Sequence, residues 1–211
     1  MDGIPHWSPD GTKIAYIVYY RGNRDAYVDL YILDLASRQT STILTFSGVE
    51  EYVWSPDGNS IAYTGYDKSE KSGNIYMYDL ATRESTNITN LPGNQWSIDW
   101  SLDGNQIVFS SDHLDGTADI CLVRPDGENL HCITESETDI LQPQFSLDGG
   151  HIYFTHSPYV YEEQFLYRVP VGGGEIESVS TGLLPDRVYT YEIGQFRIGE
   201  DGQGFYPRLI K

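Results

Sequence analysis

The chain has 211 residues, 39% of them hydrophobic and 13% aromatic, with 21 Gly and 10 Pro punctuating short apolar segments. That is long enough for a substantial core, and the mixture suits strands and tight turns. The formal net charge of −18 argues against a nucleic-acid backbone or an anionic membrane surface as partner, because both reward clustered Lys and Arg.

In chain order, the first predicted unit has strands over 5–8, 13–19, 29–33 and 40–45, the second over 52–55, 60–65, 74–78 and 85–89. A third follows at 97–101, 106–110, 120–123 and 129–134, and a fourth at 142–146, 151–156, 165–169 and 176–180. One phrase opens each unit: Trp7-Ser8-Pro9-Asp10-Gly11, Trp54-Ser55-Pro56-Asp57-Gly58, Trp100-Ser101-Leu102-Asp103-Gly104 and Phe145-Ser146-Leu147-Asp148-Gly149. The leading aromatics are 47, 46 and 45 residues apart, the period of a recurring four-stranded blade of about 40–50 residues. Each Asp-Gly supplies the backbone angles of a hairpin turn, and the aromatics with the following Ile-Ala-Tyr, Ile-Val-Phe or Ile-Tyr-Phe triplets are expected to pack between neighbouring sheets.

After the fourth unit, Asp201-Gly202 marks two strands of a fifth. The expected architecture is an all-β propeller of four-stranded antiparallel blades, four complete and one partial. It is one array over 1–211, with blades at about 4–46, 47–91, 92–138 and 139–182 and the partial blade at 183–211. The unfinished blade implies a fragment of a larger propeller or completion by a partner, such as a second copy pairing with the open edge. The alternative is a short open array whose last strand is protected by Pro207, Arg208 and Lys211.

These phrases resemble the TolB-type, WD-like β-propeller repeat, over roughly residues 5–181, and the run Ser110-Ser111-Asp112-His113-Leu114-Asp115-Gly116-Thr117-Ala118-Asp119-Ile120 followed by Pro125-Asp126-Gly127 matches furthest. The resemblance implies a propeller fold. It also implies one of several jobs: protein docking as in the Tol envelope system, a gating domain attached to serine peptidases similar to prolyl oligopeptidase, or a lyase.

Catalytic signatures are absent from the sequence. There is no Gly-x-Ser-x-Gly elbow, no His-Glu-x-x-His pair and no phosphate-binding loop, and Gly172-Gly173-Gly174 reads as a turn. His6, His113, His131, His151 and His156 share no ligand spacing. Asp112, Asp115 and Asp119 are the one acidic cluster dense enough to suggest Ca²⁺, against the plainer reading that they cap turns; no other cofactor is expected. Asn87-Ile88-Thr89 is a formal glycosylation sequon. Cys121 and Cys132 are equidistant from the Asp126-Gly127 turn and should face each other. A four-residue loop makes them a non-hydrogen-bonded pair and a two-residue loop a hydrogen-bonded one, and Pro125 favours the first. A disulfide or two buried thiols both fit.

In such a meander the second-to-third strand links and the inter-blade links share one face, opposite the Asp-Gly turns. The long links at 20–28, 66–73, 111–118 and 157–164 therefore join the inter-blade links, and loops on a rigid scaffold are where binding resides. Candidate ligand-binding residues there are Tyr20, Glu50, Glu51, Tyr66, Trp96, Asp139, Tyr159, Tyr161 and Arg187. The expected function is a non-catalytic scaffold that binds a protein or peptide through this face. The alternative is a substrate-gating domain of a larger peptidase-like enzyme, and a third reading is a metal-dependent carbohydrate-active propeller. No apolar run reaches membrane-span length, and the first residues lack a signal peptide. A cytoplasmic location fits, or a periplasmic or extracellular one if a leader has been removed.

Overall fold

The computed structural model describes residues 5–21, 26–46, 51–67, 72–156, 165–179, 197–198 and 204–205. Blade one comprises β1 (His6–Trp7), β2 (Lys13–Arg21), β3 (Ala26–Asp34) and β4 (Thr40–Phe46); blade two β5 (Tyr52–Trp54), β6 (Ser60–Asp67), β7 (Ser72–Asp79) and β8 (Ser85–Asn87). Blade three comprises β9 (Gln95–Trp100), β10 (Ile107–Ser111), β11 (Asp119–Val123) and β12 (His131–Cys132); blade four β13 (Ile140–Phe145), β14 (His151–His156), β15 (Phe165–Pro170) and β16 (Glu177–Ser178). Each is a four-stranded antiparallel meander in sequence order, and β17 (Arg197–Ile198) pairs with β18 (Gly204–Phe205). The all-β propeller architecture expected from the repeat is the one observed.

The repeated phrase is a hydrogen-bonded latch. In blade one Gly11 N–H donates to the Ser8 carbonyl at 2.9 Å, closing a turn that needs a left-handed residue at its end. Gly11, Gly58, Gly104 and Gly149 all supply it, with φ of 69°, 71°, 77° and 69°, angles cheap only for glycine. The Ser8 hydroxyl donates to Asp10 Oδ1 at 2.6 Å and accepts from Lys13 N–H at 2.9 Å, while Thr12 N–H donates to the same carboxylate oxygen at 3.0 Å. Ser55 with Asp57, Ser101 with Asp103 and Ser146 with Asp148 repeat the arrangement. These bonds stabilise the ionised carboxylate. The Ser8 hydroxyl, then Thr12, lower Asp10 to about 2, and Asp57, Asp103 and Asp148 are lowered likewise by donors at the matching places.

The core lies between blades. In β6, Ile61 and Tyr63 face blade one beside Ala15, Leu30 and Trp54, while Ala62 on the opposite face packs with Trp100, Ile107 and Phe109 of blade three. Val108 then turns to blade four, against Ile140, Ile152 and Phe154. Alternation in a strand sends successive side chains to opposite faces. In blades two and three the triplets are apolar throughout because both of their faces are covered. Tyr52 Oη donates to the Ala15 carbonyl at 2.8 Å and Trp54 Nε1 to the His6 carbonyl at 3.2 Å, so blade two is also bonded to blade one. Trp54 and Trp100 are 6% and 7% exposed, whereas Trp7, at the same place in blade one, is 61% exposed.

Candidate functional site

The pairing divides the array into two rims. The Asp-Gly turns join β1 to β2, β5 to β6, β9 to β10 and β13 to β14, and the third-to-fourth strand hairpins share their rim. The second-to-third strand links and the inter-blade links emerge on the other.

On that second rim a brace recurs that the residue types alone did not disclose. Buried Asn74, at the start of β7, accepts through Oδ1 from the Thr89 hydroxyl and from Leu91 N–H, both at 3.1 Å, while Thr89 Oγ1 accepts from Ile75 N–H at 3.0 Å. At the matching place in blade three, Asp119 Oδ1 accepts from Thr134 Oγ1 and Ser136 N–H, both at 2.9 Å, and Thr134 Oγ1 accepts from Ile120 N–H at 2.9 Å. Blade one puts Asp29 opposite Thr45 in register. Burial raises the Asp119 carboxyl above the ordinary aspartate range, against the lowering influence of Thr134 and Ser136.

A second recurrent tie fixes the inter-blade links. Asn94 Oδ1 accepts from Gly73 N–H at 3.3 Å, and Asp139 Oδ1 accepts from Ala118 N–H at 3.0 Å. Asn94 is held in turn by Asp112, whose Oδ1 takes its backbone N–H at 2.5 Å and whose Oδ2 takes its side-chain amide at 3.1 Å. Gly93 is obligatory beside it. Its φ is 75°, and a Cβ there would lie 2.2 Å from Asp112 Oδ1. The next residues of the inner strands bulge at matching points: Ser97 and Gln142 both have φ of 56°, and the register shifts around them.

Among the expected binding residues, Glu50, Tyr159, Tyr161 and Arg187 lie outside the described residues, as do the whole link at 157–164 and Pro207, Arg208 and Lys211 after β18. The other five lie on the expected rim. Tyr66 is 38% exposed and Trp96 half-buried. Tyr20 Oη is bonded to Tyr31 Oη at 2.8 Å, and Tyr31 Oη donates to Asp29 Oδ2 at 3.0 Å. The Tyr20 hydroxyl, then Asp29, push the Tyr31 phenol above its ordinary range. Glu51 accepts from Ile98 N–H at 3.2 Å, beside the Ser97 bulge, so it and Asp139 serve as anchors of the rim.

The three aspartates considered for Ca²⁺ are directed to different partners: Asp112 to Asn94, Asp115 to Thr117 N–H at 2.8 Å, Asp119 to the brace. Among the described residues they form no group of converging ligands; His113, Cys121 and Cys132 do. The two cysteines are paired in register, with Cα atoms 3.8 Å apart and a disulfide bond between them. The Ile133 N–H to Ile120 carbonyl bond of 2.9 Å next to them makes theirs a non-hydrogen-bonded position, where cross-strand side chains come closest. Ser111 Oγ is 2.9 Å from His113 Nδ1, but Ser111 is fully buried. A nucleophile must reach its substrate, so this pair is structural. Gly172-Gly173-Gly174 is part of the β15–β16 turn, closed by Gly173 N–H to the Pro170 carbonyl at 2.8 Å. No helix among the described residues is long and apolar enough to cross a membrane.

The family model of the TolB β-propeller domain matches residues 4–157 and 51–189. The chain is 40% identical over 45 residues to the Tol-Pal system protein TolB of Xanthomonas campestris pv. campestris, a match covering 21% of this chain and 9% of that protein. The crystal structure of TolB from Acinetobacter baumannii is similar with a TM-score of 0.68 and 25% identity, over 83% of this chain and 42% of that one. Two enzymes share the fold alone. An oligogalacturonate lyase in complex with manganese has a TM-score of 0.65 at 16% identity, over 83% of this chain and 51% of that one. For puromycin hydrolase the TM-score is 0.62 at 15% identity, over 95% of this chain and 32% of that one. The chain thus spans less than half the length of the TolB structure, and only a short part of the curated relative.

Proposed function

We propose that this chain, which belongs to the TolB β-propeller domain family, is a non-catalytic scaffold that binds a protein or peptide through the rim carrying Tyr20, Glu51, Tyr66, Trp96 and Asp139. The observation that carries this reading is the asymmetry of the two rims. One is built from the same Ser-Asp latch in all four blades. The other has links of varied length, and those described in and after blades two and three are held by the Asn74, Asn94, Asp119 and Asp139 bonds. Preformed loops that display aromatic side chains lower the ordering cost of association. Similarity to a Tol-Pal system protein supports a protein partner, and the net charge of −18 supports a cationic segment in it.

A photo-crosslinking amino acid in place of Tyr66 tests this, with the same group in place of Leu102 on the opposite rim, 61% exposed. Incubation with proteins of the source organism should give one discrete adduct from position 66 and none from 102. Equal labelling at the two positions would refute the assignment of the rim.

The alternative is the substrate-gating propeller of a larger enzyme, supported by the fold likeness to puromycin hydrolase over 95% of the chain. A longer reading frame encoding a hydrolase domain would establish it in place of the docking module.

Self-association is part of the proposal. Trp7, at 61% exposed, marks a blade face of the kind that is covered in blades two and three, and we propose that a second copy of the array covers it. Light scattering should report a dimer or larger that Trp7→Ser converts to a monomer; a strict monomer of the unaltered chain contradicts it. The Cys121–Cys132 pair supports an oxidising compartment.

A further inference from the structure

The donor atoms of His113, Cys121 and Cys132 lie within 4.8 Å of one another. We propose that these three residues form a redox-gated site for a zinc-class metal ion, closed when the cysteines are disulfide-bonded and open when they are reduced.

Three features carry this. First, the donor set of two thiolates and an imidazole is the one that borderline and soft ions select, and three protein ligands leave a fourth position for water. Second, the two sulfurs project from facing positions of β11 and β12, with Cα atoms 3.8 Å apart. Tetrahedral coordination with Zn–S bonds of about 2.3 Å needs sulfurs roughly 3.8 Å apart, and rotation about the two χ1 angles is the movement that would separate them once the bond is broken. Third, His113 is held by the structure. Its ring Nδ1 is 2.9 Å from Ser111 Oγ, and the backbone N–H of His113 donates to the same hydroxyl at 3.4 Å. The link it occupies is pinned by Asp112, whose N–H donates to the Asn94 carbonyl at 3.2 Å and whose carbonyl accepts from Gly116 N–H at 3.0 Å. A hydrogen bond that orients a ligating imidazole is a regular companion of metal histidines. Cys121 is fully buried and Cys132 and His113 are half-buried, so water has limited access to the centre. The carboxylates of Asp112 and Asp115 on the same link add negative field around it.

The gating step balances with a dithiol as reductant. Its two thiols become a disulfide, the Cys121–Cys132 bond breaks, and the two electrons and two protons reduce the pair to thiols. The metal dication then replaces both thiol protons, which pass to solvent, and the neutral imidazole adds as third ligand. Reoxidation by a disulfide reverses the sequence and expels the ion.

The test uses the full 211-residue chain, oxidised and anaerobically reduced with a phosphine that is then removed. Each form is titrated with Co²⁺ and Zn²⁺ and followed by thiolate-to-cobalt absorption and native mass spectrometry, with circular dichroism as the folding control. The reduced, folded chain should bind one ion and show the thiolate–cobalt band, and the oxidised chain none. Cys132→Ser should abolish the band, and His113→Ala should weaken binding by at least tenfold while leaving the chain folded. An absent band in the reduced chain, unfolding on reduction, equal uptake by the oxidised chain, or unchanged affinity in His113→Ala each overturns the proposal.

Discussion

Replacing Phe109 by Ala is expected to lower the unfolding free energy by about 3–5 kcal/mol, the range for removing a buried aromatic ring. Phe109 is fully buried among Ala62, Ile75 and Ile88 of blade two and Trp100, Ile107 and Cys121 of its own blade. The ring therefore forms the seam between two blades, and its removal leaves a cavity with β-strands on both sides that hydrogen bonding holds in place. In a linear array, stability is approximately a sum of unit and nearest-neighbour terms, so the loss should concentrate at one seam. Urea denaturation should show a lower midpoint and a broadened transition, as blades one and two uncouple from three and four. Leu102→Ala, on a side chain 61% exposed, should stay within about 0.5 kcal/mol of the unaltered chain. A loss below about 1 kcal/mol for Phe109→Ala would mean that the seam can collapse around the gap, and the two-faced core would not be the principal source of stability.

The architecture was legible because the features that make a blade recur at nearly constant spacing. Trp54, Ser55, Asp57 and Gly58 reappear at Trp100, Ser101, Asp103 and Gly104, and each has a geometrical duty: the ring fills the seam, the hydroxyl and carboxylate satisfy the turn, and the glycine takes the positive φ. The rim was legible as a place and less so as chemistry. Asp139 and Glu51 stood out by charge, yet they accept backbone N–H groups. Asp112 and Asp119 stood out as a cluster, yet each serves a different bond. The Asn94–Asp139 and Asn74–Asp119 correspondences are each 45 residues apart, so the same period contains them. They were hidden because an amide in one blade stands where a carboxylate stands in the next. An oxygen acceptor is what the site requires, and residue identity conceals it. The convergence of His113 with the cysteines could not be read from spacing at all, since it depends on how the 111–118 link folds back toward β11 and β12.

That interchange of amide and carboxylate gives the second large effect. Asp119→Ala is expected to cost about 2–4 kcal/mol, because it leaves the part-buried Thr134 hydroxyl and Ser136 N–H without their acceptor, each in the lower part of the range of about 1–3 kcal/mol that an unsatisfied buried group costs. Asp119→Asn should behave differently. It keeps an oxygen where Asn74 Oδ1 performs the same task for Thr89 and Leu91, and it removes a charge that burial disfavours. At neutral pH the Asn variant should therefore equal or exceed the unaltered chain. The sign of the pH dependence follows from the raised carboxyl. The folded state holds the Asp119 proton more tightly than the unfolded state does, so ionisation detracts from stability above the folded pKa. As pH falls from that raised value to the ordinary aspartate value, the unaltered chain recovers stability relative to Asp119→Asn, and below that window the difference is constant. Denaturant midpoints of both chains across this range provide the measurement. If Asn were as damaging as Ala at neutral pH, the brace would require the negative charge, and the shared position of Asn74 and Asp119 would be a likeness of geometry without a likeness of function.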